Sequence, residues 1–391
     1  MKKINYNIIV FAAAVLLIVG GWCSRTFLGG MKGALVNFVH QPNVESFVKN
    51  VDEAAKYISY QGALIDMTSL VNRLCDTRVV EKSDATVVRL DNNFLAFTAG
   101  GASDEELNGI ADRLEVLKGV SDELEIPLLY VMAPAKSNFG AYPAQTPNAF
   151  PETHARYANI LRSRGIHVLN LVDKMEEQDM SMESSFFITD HHWLPETGLW
   201  AAGEICQEMN RSYGFPYDPA LTDISNYNVK VYQDVFLGSE GKKVGQYFTP
   251  LGLDDISVIT PKFETKLTVE DTKGVREGTL ADTMIEPIDP NSVNLYYDNL
   301  YARYSYGDMG LQVVQNHLSD PEAPKVVIIR DSFGSAVTPF LSLAAESLHI
   351  IDLRHWRGTE EADTIYEYIR QEKPDCVLVL YTGLGHTMPE N

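Results

Sequence analysis

The chain has 391 residues, 45% of them hydrophobic, and a formal net charge of -21 at pH 7. This length and apolar content suffice for one large or two modest hydrophobic cores and disfavour extensive disorder. The acidic balance argues against nucleic-acid binding, because a phosphate backbone needs a basic protein face. Among polymeric ligands, it favours a neutral glycan over a strongly anionic chain.

The N-terminus has the pattern of an export signal. Lys2 and Lys3 precede an apolar stretch, Ile8 to Trp22, which is shorter than the roughly 20 residues of a full membrane span. No clear cleavage site follows, so removal of the segment and its retention as an anchor both stay open. Trp22 stands where a small residue should precede a lipidated cysteine, which disfavours Cys23 as a lipoprotein site. We assign residues 1–40 to a signal peptide or membrane anchor with its linker, and we expect the rest to be extracytoplasmic.

Residues 41–391 are predicted to form one α/β domain that starts with an N-terminal cap at 41–95. In the cap we expect helices at 44–59 and 63–74 and a strand pair at 86–97, joined by a turn at 91–93. After the cap, short apolar strands alternate with amphipathic helices. The predicted strands are 127–132, 167–171, 186–188, 326–329, 349–352 and 376–380, and the main predicted helices are 107–124, 152–163, 334–347 and 359–371. Such alternation indicates a doubly wound parallel sheet flanked by helices, with ligands beyond the carboxyl ends of the strands.

Residues 214–324 interrupt this alternation and are predicted to be a β-rich insertion over the site. Its last part, Tyr301 to Gly310, leads to a helix that we expect before the serine strand and places aromatic side chains near the site. We take Tyr304 and Tyr306 as candidates for substrate binding. An N–H group at Gly307 is a further candidate for oxyanion binding. Lys136 follows the strand 127–132 and is a third candidate, because a fixed cation there could hold an acyl or sugar oxygen. Packing roles for the tyrosines and a solvated position for the lysine are the alternatives.

The sequence Asp190-His191-His192-Trp193 contains an acid two residues before a histidine. On an extended segment, side chains two positions apart point the same way, so Asp190 can orient His192 while His191 turns away. The following Leu194-Pro195 predicts the start of a helix. A metal is not favoured, because adjacent histidines on an extended segment point to opposite faces and chelate one ion poorly.

A serine lies at the end of a later predicted strand, in the sequence Arg330-Asp331-Ser332. At a turn between a parallel strand and a helix, Ser332 would stand near unpaired N–H groups that could stabilise an oxyanion. A serine hydroxyl, an imidazole base and an orienting carboxylate are the parts that nucleophilic catalysis needs. A helix-capping role is the alternative for this serine, in competition with Asp331 and Ser335.

At these residues the chain resembles the DHHW protein family and, more distantly, the SGNH-like acetyltransferases that modify alginate. The resemblance covers roughly residues 90 to 391 and includes Pro339-Phe340-Leu341 and Ile351-Asp352-Leu353-Arg354. It implies an SGNH-hydrolase-like fold, with Ser332 as nucleophile, His192 as base and Asp190 as its partner. Residues 381–386 lack the asparagine-containing block of ordinary SGNH hydrolases, so the second oxyanion donor is unassigned.

A second acid and histidine compete for the catalytic role. Asp352 and His355 match the Asp-x-x-His pattern that ordinary SGNH hydrolases place near the C-terminus. They follow the strand next to the serine strand, where a parallel neighbour could reach the site. A structural role for Asp352 at the strand end is the favoured interpretation. Three cysteines, Cys75, Cys206 and Cys376, leave room for one disulfide.

The resemblance implies an exported serine-dependent acyltransferase that O-acetylates a cell-surface polysaccharide through an acyl-Ser332 intermediate. It needs no cofactor, and a membrane-bound O-acyltransferase is the implied partner that delivers acetyl groups. An acetylesterase with the same triad is the second hypothesis. A catalytically silent glycan-binding or assembly protein is the third, and it predicts Ser332 and His192 too far apart to meet.

Overall fold

A computed structural model describes residues 61–98, 100–146 and 148–382, with 32–33, 36–37 and 46. Apart from residue 46, the predicted helix at 44–59 lies outside these residues, and so does almost all of the predicted signal or anchor. None of the described helices combines the length and hydrophobicity needed to cross a membrane. The chain divides into two units, residues 1–75 and 76–391. In the first unit the structure describes helix α1 (Gln61–Leu74), which includes the helix predicted at 63–74.

The second unit contains the remaining helices and all the strands of the described chain. Its helices are α2 (Asp104–Glu123), α3 (Lys136–Phe139), α4 (Phe150–Ser163), α5 (Leu171–Glu177), α6 (Met182–Ser185), α7 (Pro195–Tyr213), α8 (Ser239–Val244), α9 (Leu280–Met284), α10 (Thr338–Leu341) and α11 (Ile365–Glu372). Its strands are β1 (Val79–Glu81), β2 (Thr86–Arg89), β3 (Leu95–Phe97), β4 (Leu128–Met132), β5 (His167–Asn170), β6 (Tyr227–Phe236), β7 (Asp254–Pro261), β8 (Leu267–Asp271), β9 (Gly274–Gly278), β10 (Leu311–Asn316), β11 (Lys325–Arg330), β12 (Ser347–Ile351) and β13 (Cys376–Tyr381).

The main sheet has eight strands in the order β5-β4-β13-β11-β12-β10-β8-β9. The strands from β5 to β12 in this order are parallel, whereas β10, β8 and β9 pair antiparallel. The α/β class is therefore confirmed, but the sheet is mixed rather than wholly parallel. Strand β10 occupies the place where the sequence suggested a helix before the serine strand. A hairpin can extend a parallel sheet at its edge because antiparallel partners need only a short turn.

Two hydrophobic cores cover the two faces of the sheet. In β11, Val326 and Ile328 belong to one core while Val327 and Ile329 belong to the other. Helix α7 packs in the first core, and helices α2, α4 and α11 pack in the second. This explains the near-continuous apolar runs of the central strands, since both of their faces are buried.

The parts of the chain predicted as cap and insertion form two smaller sheets, and the predicted insertion also supplies β8, β9 and β10 of the main sheet. Strands β1, β2 and β3 form an antiparallel sheet whose β2–β3 hairpin turns at 91–93, as the sequence predicts. Strands β6 and β7 form a separate antiparallel pair. The segment predicted as a strand at 186–188 makes only an isolated bridge, between Phe186 and Trp193. Cys75, Cys206 and Cys376 are free thiols, so they form no disulfide with one another.

A buried histidine in α4 leads us to expect that the stability of the fold depends on pH. His154 is 3% exposed, and burial lowers its pKa from 6.5 to about 4, although a backbone hydrogen bond at Ala133 opposes this. In the unfolded chain the imidazole keeps a pKa near the ordinary 6.5. Its contribution to stability is therefore present above that pKa and is lost as the pH falls through the pKa of the folded state. Between about pH 7.5 and about pH 4.5, the free energy of unfolding of the wild type should fall. In His154→Gln we expect this fall to be smaller by about 2 kcal/mol. Urea denaturation at both pH values tests this, with the exposed His317→Gln as control. Equal losses in the wild type and His154→Gln would contradict it.

Candidate active site

Asp190, His192 and Ser332 form a continuous chain of hydrogen bonds. His192 Nδ1 lies 2.5 Å from Asp190 Oδ1, and His192 Nε2 lies 2.7 Å from Ser332 Oγ. Asp190 and His192 are 3% and 4% exposed. The serine follows β11 directly, at the carboxyl ends of the parallel strands, where ligands of open α/β sheets bind. The arrangement can activate the hydroxyl as a nucleophile through a base that is itself oriented by an acid.

The Trp193 side chain connects the loop that carries His192 with the loop that carries Ser332. The Trp193 indole N–H donates to the Phe333 carbonyl at 3.1 Å and to the Tyr301 hydroxyl at 3.0 Å. Trp193 is fully buried, and the Tyr301 hydroxyl also donates to the Phe333 carbonyl. The last residue of the Asp190 to Trp193 motif therefore fixes the spacing between His192 and the residue after Ser332.

The turn at the serine is capped by its neighbour rather than by the serine itself. Asp331 Oδ1 accepts the Phe333 N–H at 2.9 Å, and Asp331 Oδ2 accepts the Thr382 N–H at 2.8 Å. This leaves the Ser332 hydroxyl free to bond to His192. Of the capping alternatives raised by the sequence, Asp331 is the one realised here.

The long amphipathic helix predicted at 334–347 is wrong. The chain instead forms 3₁₀ turns at Ser332–Ala336 and Ser342–Ala344, with the short helix α10 between them. Residues 333–343 are buried throughout, so their apolar pattern reflects burial on every side rather than one helical face. Pro339 also withholds a backbone N–H inside the predicted helix.

The carboxylate of the triad is held by the start of α8, which lies within the predicted insertion. The Ser239 N–H donates to Asp190 Oδ2 at 2.6 Å, and the His192 N–H donates to Oδ1 at 3.0 Å. Burial opposes ionisation, but the charges of His192 and His191 and these hydrogen bonds keep the pKa of Asp190 well below its usual range. Asp190 is therefore a carboxylate at neutral pH. The sequence carried no signal that pointed to Ser239, because a backbone donor can be any residue.

His191 is not turned away from the site, contrary to the sequence prediction. Its ring centroid lies 3.8 Å from that of His192, and its Nδ1 lies 2.7 Å from Ser239 Oγ. Tyr301 stacks near His192 at 3.9 Å and an interplanar angle of 11°. The segment bends at Asp190 instead of running straight, so side-chain alternation does not apply. Tyr301 was not among the predicted site residues, although it is the first aromatic residue of the segment Tyr301 to Gly310.

The same bend brings together groups that could hold a metal. Ligand atoms of Asp190, His191 and His192 lie within 4.8 Å of one another, so the prediction that the two histidines face apart is wrong. Both ring nitrogens of His192 are nevertheless engaged, one with Asp190 and one with Ser332. An ion bound through His192 would have to break one of these contacts, so the donor set suits a base better than a metal ligand.

Lys136 does not have the surroundings predicted for a substrate-binding lysine. Its ammonium contacts Glu240 Oε2 at 2.6 Å and the backbone carbonyls of Leu95, Phe187 and Ile188. It is 2% exposed, so it is not a solvated loop lysine either. The ammonium joins strand β3, the segment before Asp190 and helix α8. Its hydrogen-bonding capacity is used by the protein.

Tyr304 and Tyr306 also lie elsewhere than predicted. The Tyr304 hydroxyl is buried between the Ser257 carbonyl, at 2.9 Å, and the Ile259 N–H, at 3.1 Å. Tyr306 packs under Arg276, with the guanidinium carbon 4.1 Å from the ring centroid, and its hydroxyl donates to the Asp282 carbonyl. Both side chains serve packing in the predicted insertion.

The competing pair at Asp352 and His355 does not replace His192 as the partner of Ser332 Oγ. The Asp352 carboxylate accepts a hydrogen bond from Arg354 Nε at 2.9 Å, and the His355 backbone N–H donates to the Asp352 backbone carbonyl at 3.0 Å. The Asp352 carboxylate stands at the end of β12 and is neutralised by arginine. The structural interpretation of Asp352 fits this arrangement.

Beside Ser332 opens a pocket of about 210 Å³. Its lining comes from β3, from the segments after β4, β11 and β13, from the bend that carries His191, and from α3, α4 and α8. The lining residues are Ala96, Phe97, Ala135, Lys136, Ser137, Phe150, His191, Glu240, Asp331, Ser332, Phe333 and Thr382.

Comparison with known protein families gives evidence about the fold and the site that is independent of the structure. Residues 97–225 match the family described as the SGNH hydrolase-like domain of the acetyltransferase AlgX. The match includes Asp190 and His192. The resemblance predicted from the sequence is confirmed. No curated protein sequence gives a significant match.

Solved structures show the same fold at low sequence identity. PatB1 of Bacillus cereus superposes with a TM-score of 0.62 at 19% identity, over 78% of this chain and 98% of that chain. A second structure, of PatB1 with a sulfonyl adduct, gives the same TM-score and coverage at 17% identity. A DHHW family protein from Eubacterium siraeum gives 0.54 at 16% identity, over 78% of this chain and 92% of that chain.

Proposed function

We propose that this protein transfers acyl groups through an ester on Ser332, and that it O-acetylates a hydroxyl of a cell-surface polysaccharide. The observation that carries the proposal is the contact chain from Asp190 through His192 to Ser332 Oγ. The match to the SGNH hydrolase-like domain of the acetyltransferase AlgX supports the acyl-transfer class and the acetyl group. The 2.7 Å contact between His192 and Ser332 also speaks against a catalytically silent protein.

The first half-reaction moves the acyl group from the donor to the serine. His192 Nε2 takes the Ser332 hydroxyl proton while Oγ attacks the carbonyl carbon of the donor. Asp190 stabilises the imidazolium through its Nδ1–H. The tetrahedral intermediate then collapses, the bond from carbon to the leaving oxygen breaks, and His192 gives its proton to that oxygen. The products are acyl-Ser332 and the deacylated donor.

The second half-reaction reverses these roles with the acceptor. His192 removes the proton of an acceptor hydroxyl, the oxygen attacks the acyl carbon, and the bond to Ser332 Oγ breaks. The proton returns to Ser332 and the new ester leaves. At the turn after β11, the N–H groups of Phe333 and Gly334 donate to Asp331, so the Ser332 N–H is the candidate oxyanion donor there.

Location and partner follow from the same proposal. An N-terminal export segment would place the site outside the cytoplasm, where a membrane-bound O-acyltransferase would supply the activated acetyl group. The acidic chain suits a neutral glycan acceptor. Water as acceptor would make the same site an acetylesterase, so incubation with donor ester and glycan, followed by analysis of acetylated glycan and free acetate, distinguishes the two activities.

Covalent labelling tests the nucleophile. We expect a serine-directed sulfonyl fluoride to modify one peptide of the intact protein, the one that contains Ser332, and Ser332→Ala to abolish both the modification and acetyl-ester turnover. Peptide mass spectrometry identifies the modified residue. Ser335→Ala is the matched control, because this neighbouring hydroxyl makes only a 3.3 Å contact with Asp308. Labelling that persists in Ser332→Ala would refute the assignment.

A further inference from the structure

The pocket beside Ser332 has an apolar wall built from three phenylalanines. Phe97, Phe150 and Phe333 line it together with Ala96 and Ala135. A ligand pocket of this kind is mostly apolar, with a few polar groups that fix the orientation of the bound molecule. The polar side chains of the lining therefore decide what chemistry it can accept.

Almost all polar side chains in the lining are engaged by other protein groups. Lys136 and Glu240 pair at 2.6 Å and are 2% and 1% exposed. Asp331 accepts the Thr382 N–H and hydroxyl, at 2.8 Å and 3.0 Å. The lining therefore offers no uncompensated cation, and it contains two buried carboxylates.

The remaining two polar residues of the lining belong to the reaction or adjoin it. The Ser137 hydroxyl bonds to Tyr142 at 2.8 Å, which leaves Ser332 and His191. Ser332 Oγ already bonds to His192 Nε2, and His191 Nδ1 bonds to Ser239 Oγ, so within the described lining the nucleophile and His191 Nε2 are the side-chain polar groups left for a ligand. A bound molecule would be anchored at Ser332 and would contact mainly phenylalanine and alanine side chains.

The position of the pocket relative to His192 indicates which part of the substrate binds in the pocket. The acyl carbon on Ser332 Oγ carries three other substituents in the tetrahedral intermediate: the entering or leaving oxygen, the oxyanion and the acyl chain. The entering or leaving oxygen must lie at His192 Nε2, which exchanges a proton with it. His192 is absent from the lining of this pocket, so the pocket is not the place of that oxygen. An apolar wall does not stabilise an oxyanion either.

We propose that this pocket binds the hydrocarbon part of the acyl group, and that it accepts uncharged acyl chains of several carbons as well as acetyl. The inference rests on the proposed acyl-Ser332 intermediate and adds which acyl groups the site accepts. A cavity of about 150 Å³ in a protein core holds a six-carbon benzene molecule, so a pocket of this size can take chains of about four to six carbons.

Charge provides the second criterion of selection. A carboxylate at the far end of an acyl chain, as in succinyl, would enter next to Asp331 and Glu240 without a free cation to meet it. Burial of an ion without a partner is strongly unfavourable. The pocket therefore rejects anionic acyl groups while it accepts neutral ones of the same length.

The first experiment measures kcat/KM for p-nitrophenyl acetate, butyrate and hexanoate. We expect the hexanoate-to-acetate ratio to fall at least about tenfold in Ala135→Leu, because a larger side chain in the pocket displaces the longer chain but leaves room for acetyl. Ala220→Leu is the matched control, since Ala220 is exposed and outside the pocket. Phe150→Ala gives a second test, because it enlarges the pocket and should raise the same ratio. Unchanged ratios in both variants would overturn the proposal.

The second experiment compares p-nitrophenyl butyrate with p-nitrophenyl hemisuccinate on the wild-type protein. We expect kcat/KM for the anionic ester to be lower by about 100-fold or more. Similar values would overturn the charge criterion. Failure of the serine mechanism would show separately, as ester turnover that survives in Ser332→Ala.

Discussion

Asp190→Asn is expected to lower kcat by about 10⁴-fold, which is the loss found when the acid of a serine-protease triad is replaced in the same way. Asp190 accepts three hydrogen bonds, two on Oδ1 from the side chain and backbone of His192 and one on Oδ2 from the Ser239 N–H. Asparagine has one acceptor oxygen, so either orientation of the amide points an NH₂ group at an N–H donor. If the oxygen turns to Ser239, the NH₂ faces His192 Nδ1 and forces the tautomer that cannot accept the serine proton.

Kinetics with a short acyl ester test this expectation, together with thermal unfolding of the same variant. KM should change much less than kcat, because the amide alters proton transfer rather than the pocket beside Ser332. Retention of more than about a tenth of wild-type kcat would show that the acid has no catalytic role. Asp255→Asn is a suitable control, since this exposed carboxylate accepts the Asp234 N–H away from the triad.

Gly238→Ala is expected to lower kcat by about 100-fold or more, although residue 238 contacts no reacting atom. A Cβ added at Gly238 would lie 2.1 Å from Asp190 Cβ and 2.3 Å from Asp190 Cα. Since real side chains do not approach so closely, either the Asp190 backbone or the start of α8 must move. Movement of α8 carries the Ser239 N–H away from the carboxylate, and movement of Asp190 carries His192 away from Ser332.

The matched control is Gly109→Ala, where an added Cβ meets nothing within 4 Å. Gly109 is exposed in α2, so alanine there should keep activity and add about 0.5–1 kcal/mol of stability. A misplaced base should also change the pH dependence of kcat in Gly238→Ala, whereas mere destabilisation should lower activity in proportion to the folded fraction. Wild-type kcat and pH profile in Gly238→Ala would show that the close approach does not position the triad.

The sequence was informative where chemistry depends on residue type. Only an acid, an imidazole and a hydroxyl can build this contact chain, so Asp190, His192 and Ser332 could be selected before their geometry was known. Strand runs such as Val326 to Ile329 were equally clear, because burial on both faces leaves only apolar residues. The helix predicted at 334–347 is wrong, because a segment that is buried on all sides has an apolar pattern like that of the buried face of a helix.

The supporting contacts could not be selected from the sequence, for two physical reasons. A backbone donor such as the Ser239 N–H, or a close approach such as that at Gly238, depends on where the chain passes and not on a distinctive side chain. A buried pair such as Lys136 and Glu240 joins residues 104 positions apart, and neither residue alone indicates its partner. The lysine therefore looked like a substrate contact until its partners were known.

The α/β class and the candidates Asp190, His192 and Ser332 could be predicted from the chain alone, because periodicity and side-chain chemistry are properties of short segments. The resemblance to SGNH-like acetyltransferases could also be stated at that point, because it depends on short motifs such as Asp190 to Trp193. The folded structure was needed to show that Asp331 caps the serine turn, that His191 joins the site and that α8 holds Asp190. It also decided that a pocket lined by phenylalanine adjoins Ser332. Each of these features depends on contacts between segments that are far apart in the sequence. Such contacts form only in the folded chain, so the local sequence does not indicate them.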